Sequence, residues 1–208
     1  YNYVYFHMVP SPGTVYRGLG KVPSAHYLEY QHGKSRLVNY WCAEFSDASE
    51  NQSFEELSRQ LQAKLRTSVQ RCLPDSGQVG AFLSGGLDSS TVTGVLAELS
   101  DRNAAAYSIG FEAEGYDEMA FARITAKHFG VELNEYYVTP EDVVEALPHI
   151  ATSYDEPFGN SSALPAYFCA KMAAENGVDI LLAGDGGDEF FGGNEQCGGL
   201  AKQGEGRC

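Results

Sequence analysis

Short apolar runs alternate with segments of helical spacing from residue 78 onward. We expect four strands in this region, at 79–83, 104–111, 133–138 and 178–183. The segments around them predict four helices, at 89–99, 117–129, 140–153 and 162–176. Strands that alternate with helices favour right-handed crossovers, and therefore a parallel sheet with helices on both faces. The sequence thus predicts an α/β fold whose ligand binds beyond the carboxyl ends of the strands.

The residues before this region have a different pattern. Residues 1–45 carry short β-like runs broken by prolines and glycines, and residues 46–53 form a polar linker. A helix is expected next, because Ser53 and Glu56 have the spacing of a capping box. Its apolar positions recur every three or four residues and share one face: Phe54, Leu57, Leu61, Leu65 and Val69.

The two ends of the chain lack the pattern of the middle. The sequence begins with Tyr1 inside an aromatic run, and it ends in a glycine-rich polar tail over 195–208. Such a tail buries too little apolar surface to offset its ordering entropy, so we expect it to be disordered. We interpret the sequence as a piece of a longer protein, and a processed small protein with a loose tail is the alternative.

The composition narrows the functional classes. Hydrophobic residues make up 43% and charged residues 20% of the sequence, as in globular proteins. The net charge of −14 argues against a nucleic-acid surface, but not against a small anion held by backbone amides and a metal ion. No apolar run is long enough to cross a membrane, and no signal peptide is recognisable. Five cysteines without CxxC spacing predict reduced thiols in a cytoplasmic protein.

In this fold, the ligand-binding and catalytic residues are expected in the loops that follow the strands, here after Leu83, Ile109 and Ala183. The first begins the string SGGLDSS at 84–90, in which two glycines allow a close ligand approach and a helix N-terminus favours an anion. Asp88 would repel a phosphate unless Mg²⁺ lies between them. No lysine follows the glycines, so the string is not a Walker motif. A glycine turn with a helix cap is the alternative interpretation.

Two further segments carry candidate chemistry. The loop after Ala183 holds three carboxylates, Asp185, Asp188 and Glu189, which repel one another unless a cation or a cationic substrate group is near. A solvated acidic turn is the alternative. Residues 154–165 are the second segment, for which a helix-to-helix loop with Ser162 as the cap is the alternative.

Together these strings resemble a known family. SGGLDSS after a strand resembles the pyrophosphate loop of the ATP-pyrophosphatase superfamily. With YSIGF at 107–111, DEPFGNSSALPAY at 155–167 and LLAGDGGDEFFGG at 181–193, the chain resembles the synthetase domain of the glutamine-hydrolysing (class B) asparagine synthetases. Residues 9–23 and 40–41 resemble the end of that family's glutaminase domain and its junction.

The resemblance implies a domain division and a set of residue roles. It implies a glutamine amidotransferase remnant at 1–45, a truncated ATP-pyrophosphatase domain at 46–194 with an adenine nucleotide alpha hydrolase-like fold, and the tail at 195–208. The adenosine contacts it implies are Leu83, Ile109, Ala183 and Gly184. The pyrophosphate contacts are Ser84, Gly85, Gly86, Ser89 and Ser90. Asp88 and Asp188 are expected to hold Mg²⁺, and Asp185, where the best-known members have Glu, to face the acidic substrate or its adenylate.

The implied reaction joins a carboxylate, MgATP and ammonia. Aspartate would attack the α-phosphate, releasing pyrophosphate, and ammonia made from glutamine would then displace AMP. The family's amino-terminal cysteine and its lysine-bearing helical region have no counterpart here; Cys42 and Cys169 are expected to be buried structural thiols. We therefore expect this fragment to be inactive alone. The alternatives are a relative that amidates another carboxylate or closes a β-lactam ring, and a nucleotide-binding piece without catalysis. A homodimer is left open.

Overall fold

Four parallel strands form the sheet that the alternating pattern predicts. The structure is a computed structural model that describes residues 1–43, 52–100, 104–111 and 117–191. The strands are β3 (Val79–Phe82), β4 (Ala105–Phe111), β5 (Glu132–Val138) and β6 (Ile180–Leu182), in the spatial order β5-β4-β3-β6. The central pair aligns Ala81 with Ala106, and the outer strand β6 aligns Leu182 with Ala81. Each predicted strand is found within two residues of its expected ends.

In the described residues, six helices accompany this sheet. They are α2 (Phe54–Cys72), α3 (Leu87–Leu99), α4 (Met119–Phe129), α5 (Pro140–Ser153), α6 (Ala163–Glu175) and the short α7 (Gly187–Phe191). An antiparallel hairpin of β1 (His26–Gln31) and β2 (Lys34–Asn39) precedes them, and a one-turn helix α1 (Asn2–Phe6) begins the chain.

Helices cover both faces of the sheet, as predicted. Side chains alternate along a strand, so neighbouring residues face opposite sides. Ala81 and Ala106 join a buried cluster with Leu96 of α3 and Ala122 of α4. Tyr107, one residue on, packs instead with Cys169 and Ala173 of α6, and Val138 and Phe168 pack with Ala146 of α5. The α/β prediction is therefore confirmed.

Local signals explain where several helices begin and end. Thr139 and Asp142 form a full capping box at the start of α5, with Pro140 in the first turn. Gly130 ends α4 in the left-handed region, with φ 69°. At α2 the Ser53 hydroxyl accepts from Glu56 N at 3.2 Å, but the Glu56 carboxylate bonds to Gln60 at 2.8 Å, so this capping box is one-sided.

The expectation for the first residues needs a correction. The aromatic run at the start was predicted to be β-like, but Asn2–Phe6 form α1. A helical turn satisfies its own backbone, whereas a strand needs a neighbour, and in the described chain β1 and β2 pair only with each other. The aromatic side chains of this run remain exposed; Tyr5 is 69% and Phe6 54% exposed.

Three further predictions concern the cysteines, the domain boundaries and membrane spans. Cys72 and Cys169 are free and Cys169 is buried, as expected, but Cys42 is half-buried and disulfide-bonded, so the prediction of reduced, buried thiols is wrong there. Most of the linker at 46–53, the 45/46 and 194/195 boundaries and the tail at 195–208 lie outside the described residues. Within the described residues, no helix is long and apolar enough to cross a membrane.

Candidate functional site

A cavity of about 620 Å³ opens at the carboxyl ends of β3, β4 and β6. Its size is in the range of small-molecule sites, which run from about 300 to 1,000 Å³. Its position is the one that the sheet topology predicts, because the carboxyl ends of parallel strands meet at one edge. Residues 112–116, which follow β4, lie outside the described part of the chain.

Nine of the twelve candidate residues line this cavity. They are Leu83, Ser84, Asp88, Ser89, Ile109, Ala183, Gly184, Asp185 and Asp188. The structure does not place Gly85, Gly86 or Ser90 on the wall. The hydroxyl of Ser90 lies 3.1 Å from Thr125 Oγ1 of α4 and is engaged there.

Two serines close the loop between β3 and α3. Ser84 Oγ and Ser89 Oγ lie 3.1 Å apart, and Ser84 N donates to Ser89 Oγ at 3.3 Å. Gly86 occupies the cap position of α3 in extended backbone, and no side chain caps this helix. The first amides of α3 are therefore left without a side-chain acceptor, which is the arrangement that favours a bound anion.

Glycine is required at Gly85. Its φ is 90°, and a Cβ there would lie 2.6 Å from Phe121 Cβ and 2.8 Å from Ala122 N. Because one of these neighbours is backbone, a larger residue could not be accommodated by a rotamer change. The loop is consequently packed tightly against the first turn of α4, which fixes the orientation of Ser84 and Asp88.

Two more glycines bring the second loop onto the first. A Cβ on Gly184 would lie 2.8 Å from the backbone carbon of Asp88 and 2.9 Å from Ser89 N. A Cβ on Gly187 would fall within 2.7 Å of Asp88 Oδ1. The loop between β6 and α7 therefore crosses directly over Asp88 and holds its carboxylate beside the residue that precedes Asp188.

The cavity wall is strongly acidic. Four carboxylates line it, Asp88, Asp185, Asp188 and Glu189, and the described residues on the wall include no lysine, arginine or histidine. A polyphosphate would be repelled by this wall unless a cation lies between them. Mg²⁺ is held typically by one or two carboxylates together with substrate phosphates. The carboxylates of the wall are donors of the kind that binds Mg²⁺, although the described residues contain no group of three or more His, Cys, Asp or Glu side chains that could hold a metal ion by themselves.

The opposite wall is mainly apolar and comes largely from residues to which sequence analysis gave no role. These are Phe82, Tyr107, Pro165, Ala166 and Cys169, with the hydroxyl-bearing Ser162 beside them. Asn176 Nδ2 donates to Tyr107 Oη at 3.2 Å, which fixes this ring below the cavity. Burial raises the pKa of the Cys169 thiol to about 12, so it is protonated and part of the apolar surface. Four of these six residues lie in the strings at 107–111 and 155–167 that carried the family resemblance. Those strings did not indicate that these residues line the cavity.

Comparisons with known proteins agree on one family. Residues 60–203 match the model of the family described as asparagine synthase. The chain is 36% identical over 186 residues to a putative glutamine-hydrolysing asparagine synthetase 2 of Methanocaldococcus jannaschii, covering 89% of this chain and 36% of that protein. It is 32% identical over 193 residues to the glutamine-hydrolysing asparagine synthetase 1 of Bacillus subtilis, covering 92% and 30%. The chain thus spans about a third of the length of these relatives.

Solved structures give a weaker similarity. An NH3-dependent NAD synthetase from Campylobacter jejuni superposes with a TM-score of 0.45 at 14% identity, over 65% of this chain and 60% of that one. An NMN synthetase from Francisella tularensis gives 0.44 at 18% identity, over 67% and 57%.

Proposed function

The chain belongs to the asparagine synthase family, and we propose that its cavity binds MgATP for the amidation of a carboxylate, with aspartate as the substrate and asparagine as the product. The observation that carries the proposal is the acidic cavity at the strand ends. It joins four carboxylates to an uncapped helix N-terminus on one side and an apolar wall on the other. Such a site suits a nucleotide whose phosphates arrive with a metal ion.

The residue roles are those that the family resemblance implies. Leu83, Ile109, Ala183 and Gly184 form the adenosine side in this proposal. Ser84, Ser89 and the amides at the start of α3 receive the pyrophosphate, with Gly85 and Gly86 shaping the turn. Asp88 and Asp188 hold Mg²⁺, which would neutralise the charge of the leaving pyrophosphate. Asp185 faces the ammonium group of the amino-acid substrate, for which a carboxylate is a suitable partner.

The chemistry has two steps. A carboxylate oxygen of the substrate attacks the α-phosphorus of ATP, the bond between the α- and β-phosphates breaks, and pyrophosphate leaves. Ammonia then attacks the acyl carbon, the bond to AMP breaks, and the nitrogen loses a proton to give the amide. The first step needs charge neutralisation more than a proton shuttle, and the residues of the cavity are of that kind. In this proposal glutamine supplies the ammonia, and the second step and the glutaminase reaction depend on the full-length protein.

The proposal is tested by measuring pyrophosphate release from ATP in the full-length protein. Aspartate, glutamate and a β-amino carboxylic acid are compared as substrates, each with ammonia and with glutamine. We expect release with aspartate and magnesium, and asparagine as the amide. If pyrophosphate were released only with another acid, that acid and not aspartate would be the substrate. If no acid gave pyrophosphate release, nucleotide binding would be the only role left with support.

Location and assembly stay predictions. We propose a cytoplasmic enzyme and retain a homodimer as the candidate assembly. The free thiols of Cys72 and Cys169 favour a reducing compartment, whereas the disulfide at Cys42 opposes it. Thiol titration after isolation under non-reducing conditions, and light scattering of the full-length protein, test the two points separately.

A further inference from the structure

Residues 7–21 form a segment that we name the N-terminal strap. Backbone hydrogen bonds within the strap hold its shape. Lys21 N donates to the Pro12 carbonyl and Gly13 N donates to the Pro10 carbonyl, both at 3.0 Å. The hydroxyl of Thr14 donates to the Leu19 carbonyl at 3.1 Å. The strap therefore has a defined shape although none of its residues is buried.

The strap is attached through the carboxylate of Glu156. Val15 N donates to Glu156 Oε1 at 2.8 Å, and Lys21 forms an ion pair with Oε2 of the same carboxylate. Lys21 Nζ also donates to the Val9 carbonyl at 2.7 Å, so the lysine is held from the strap side as well. Glu156 therefore joins two points of the strap with one side chain.

Two backbone contacts flank this carboxylate. Tyr16 Oη donates to the Asp155 carbonyl at 2.7 Å, and Gly159 N donates to the His7 carbonyl at 2.8 Å. A Cβ at 159 would lie 2.9 Å from His7 Cβ, so a residue larger than glycine there would require the strap or residue 159 to shift. The strap consequently contacts residues 155–159 along most of their length.

The ion pair is the most enclosed among the described residues. The side chains of Lys21 and Glu156 are 33% and 15% exposed, whereas every other ion pair has a side chain at least 50% exposed. An enclosed pair is screened less by salt and loses less to side-chain motion than an exposed one. The lysine and the Val15 amide hold the pKa of Glu156 below its usual range, which keeps the carboxylate charged.

Residues 155–159 lead directly into a wall of the cavity. Ser162 N donates to Asn160 Oδ1 at 2.9 Å, and α6 begins at the next residue. Ser162, Pro165 and Cys169 line the cavity. A shift of residues 155–159 would therefore be transmitted to the first turn of α6, which contributes Pro165 and Ala166 to the apolar wall.

We propose that Glu156 is a positioning residue of the nucleotide cavity: through Lys21 and Val15 it fixes residues 155–159 and, with them, the wall formed by α6. The proposal rests on the proposed function, because the binding of ATP is what the wall affects. It connects the segment before the hairpin to the site by contacts that do not pass through the sheet.

The test compares four variants of the full-length protein. Glu156→Gln and Lys21→Met break the ion pair, Lys21→Arg keeps the charge, and Glu29→Gln is the matched control because it breaks the Arg36–Glu29 pair of the hairpin. We expect the KM for ATP in pyrophosphate release to rise about 3- to 30-fold in the first two variants, with kcat unchanged. Lys21→Arg and Glu29→Gln should behave as the unchanged protein.

Hydrogen exchange provides a readout that needs no activity. In Glu156→Gln the amides of Gly159 and Ser162 should exchange faster, and those of β4 should not change. Unchanged KM with unchanged exchange would overturn the proposal, and so would equal effects in Glu29→Gln, which would indicate general destabilisation. If the unchanged protein releases no pyrophosphate, the proposed function fails, and the exchange rates then decide whether Glu156 holds this loop.

Discussion

The first 43 residues and the sheet region are held together by different forces. Residues 1–43 contain no buried residue; their described contacts with the rest are hydrogen bonds and the Lys21–Glu156 pair, and Cys42 is disulfide-bonded. The sheet region has three buried clusters, with Ala81, Leu96 and Ala106 fully enclosed. The sheet is therefore stabilised mainly by apolar burial, and the N-terminal residues by polar contacts together with the disulfide at Cys42.

This difference separates stability from positioning. Burial of apolar surface is proportional to area and does not depend on direction, so it stabilises the sheet without aiming any particular side chain. Hydrogen bonds and ion pairs contribute little net energy but fix geometry. We therefore expect substitutions in the sheet core to change unfolding, and substitutions at the strap or at the cavity glycines to change ligand binding.

The largest expected effect is in the sheet core. Leu96 is fully buried between α3 and the sheet, and Leu96→Ala should lower the free energy of unfolding by about 3 kcal/mol, because it removes apolar contacts and leaves a cavity. Denaturant unfolding followed by circular dichroism measures this. A loss below about 1 kcal/mol would show that the sheet is not the main source of stability.

The next effect concerns binding rather than unfolding. Gly187→Ala places a methyl group against the Asp88 carboxylate, so the carboxylate or the loop must shift from its present position. We expect the affinity for MgATP to fall about 10- to 100-fold, as for residues that orient a metal ligand. Isothermal titration measures it, and denaturant unfolding of the same variant is the control for general destabilisation. An unchanged affinity for MgATP would contradict the assignment of Asp88.

A smaller effect is expected at the start of α5. Thr139→Ala removes the capping hydroxyl that accepts from Asp142 N, and should cost about 1 kcal/mol of unfolding free energy. The matched control is Thr152→Ala, because the hydroxyl of Thr152 bonds only to backbone carbonyls within the same helix. If the two variants lost the same stability, the cap would contribute nothing specific.

The same cap predicts a dependence on pH. The backbone and hydroxyl of Thr139 hold the pKa of Asp142 below its usual value of 3.8. A carboxyl whose pKa is lowered on folding stabilises the protein above the unfolded pKa, and this contribution is lost as the pH falls through the folded pKa. The stability difference between the unchanged protein and Asp142→Asn should therefore be largest near neutral pH and shrink in acid. A difference that grows in acid would contradict the capping geometry.

The smallest effect is expected in the N-terminal residues. Phe6 is 54% exposed and contacts the ring of Tyr5. Phe6→Ala should change the unfolding free energy by less than about 0.5 kcal/mol, as is usual for surface positions. A loss as large as that of Leu96→Ala would show that the aromatic run belongs to a core.

Local periodicity predicted most of the fold. The strands and the helices around them were located from the apolar pattern, because alternation and helical spacing are properties of short stretches. The prediction of a β-like run at Asn2–Phe6 was wrong, because an aromatic run indicates a strand only where a partner strand exists. The cavity loops could be found from SGGLDSS and the acidic string, since glycines and charges were concentrated there.

The remaining parts of the site depend on contacts between distant residues. Tyr107 and Cys169 form the apolar wall because β4 turns one face to α6, and no short stretch specifies which helix covers which face. Lys21 reaches Glu156 across 135 positions, a pairing that periodicity does not contain. The role of Ser90 stays a prediction, since its hydroxyl bonds to Thr125 in the structure.

We propose that the acidic cavity binds ATP only together with magnesium. The direct measurement is isothermal titration of ATP into the full-length protein, with and without Mg²⁺, for the unchanged chain, for Asp88→Asn and for Asp75→Asn, an exposed control of the same chemistry. We expect binding that requires Mg²⁺, is weakened strongly in Asp88→Asn and is unchanged in Asp75→Asn. Equal binding without Mg²⁺, or an unaffected Asp88→Asn variant, would contradict it.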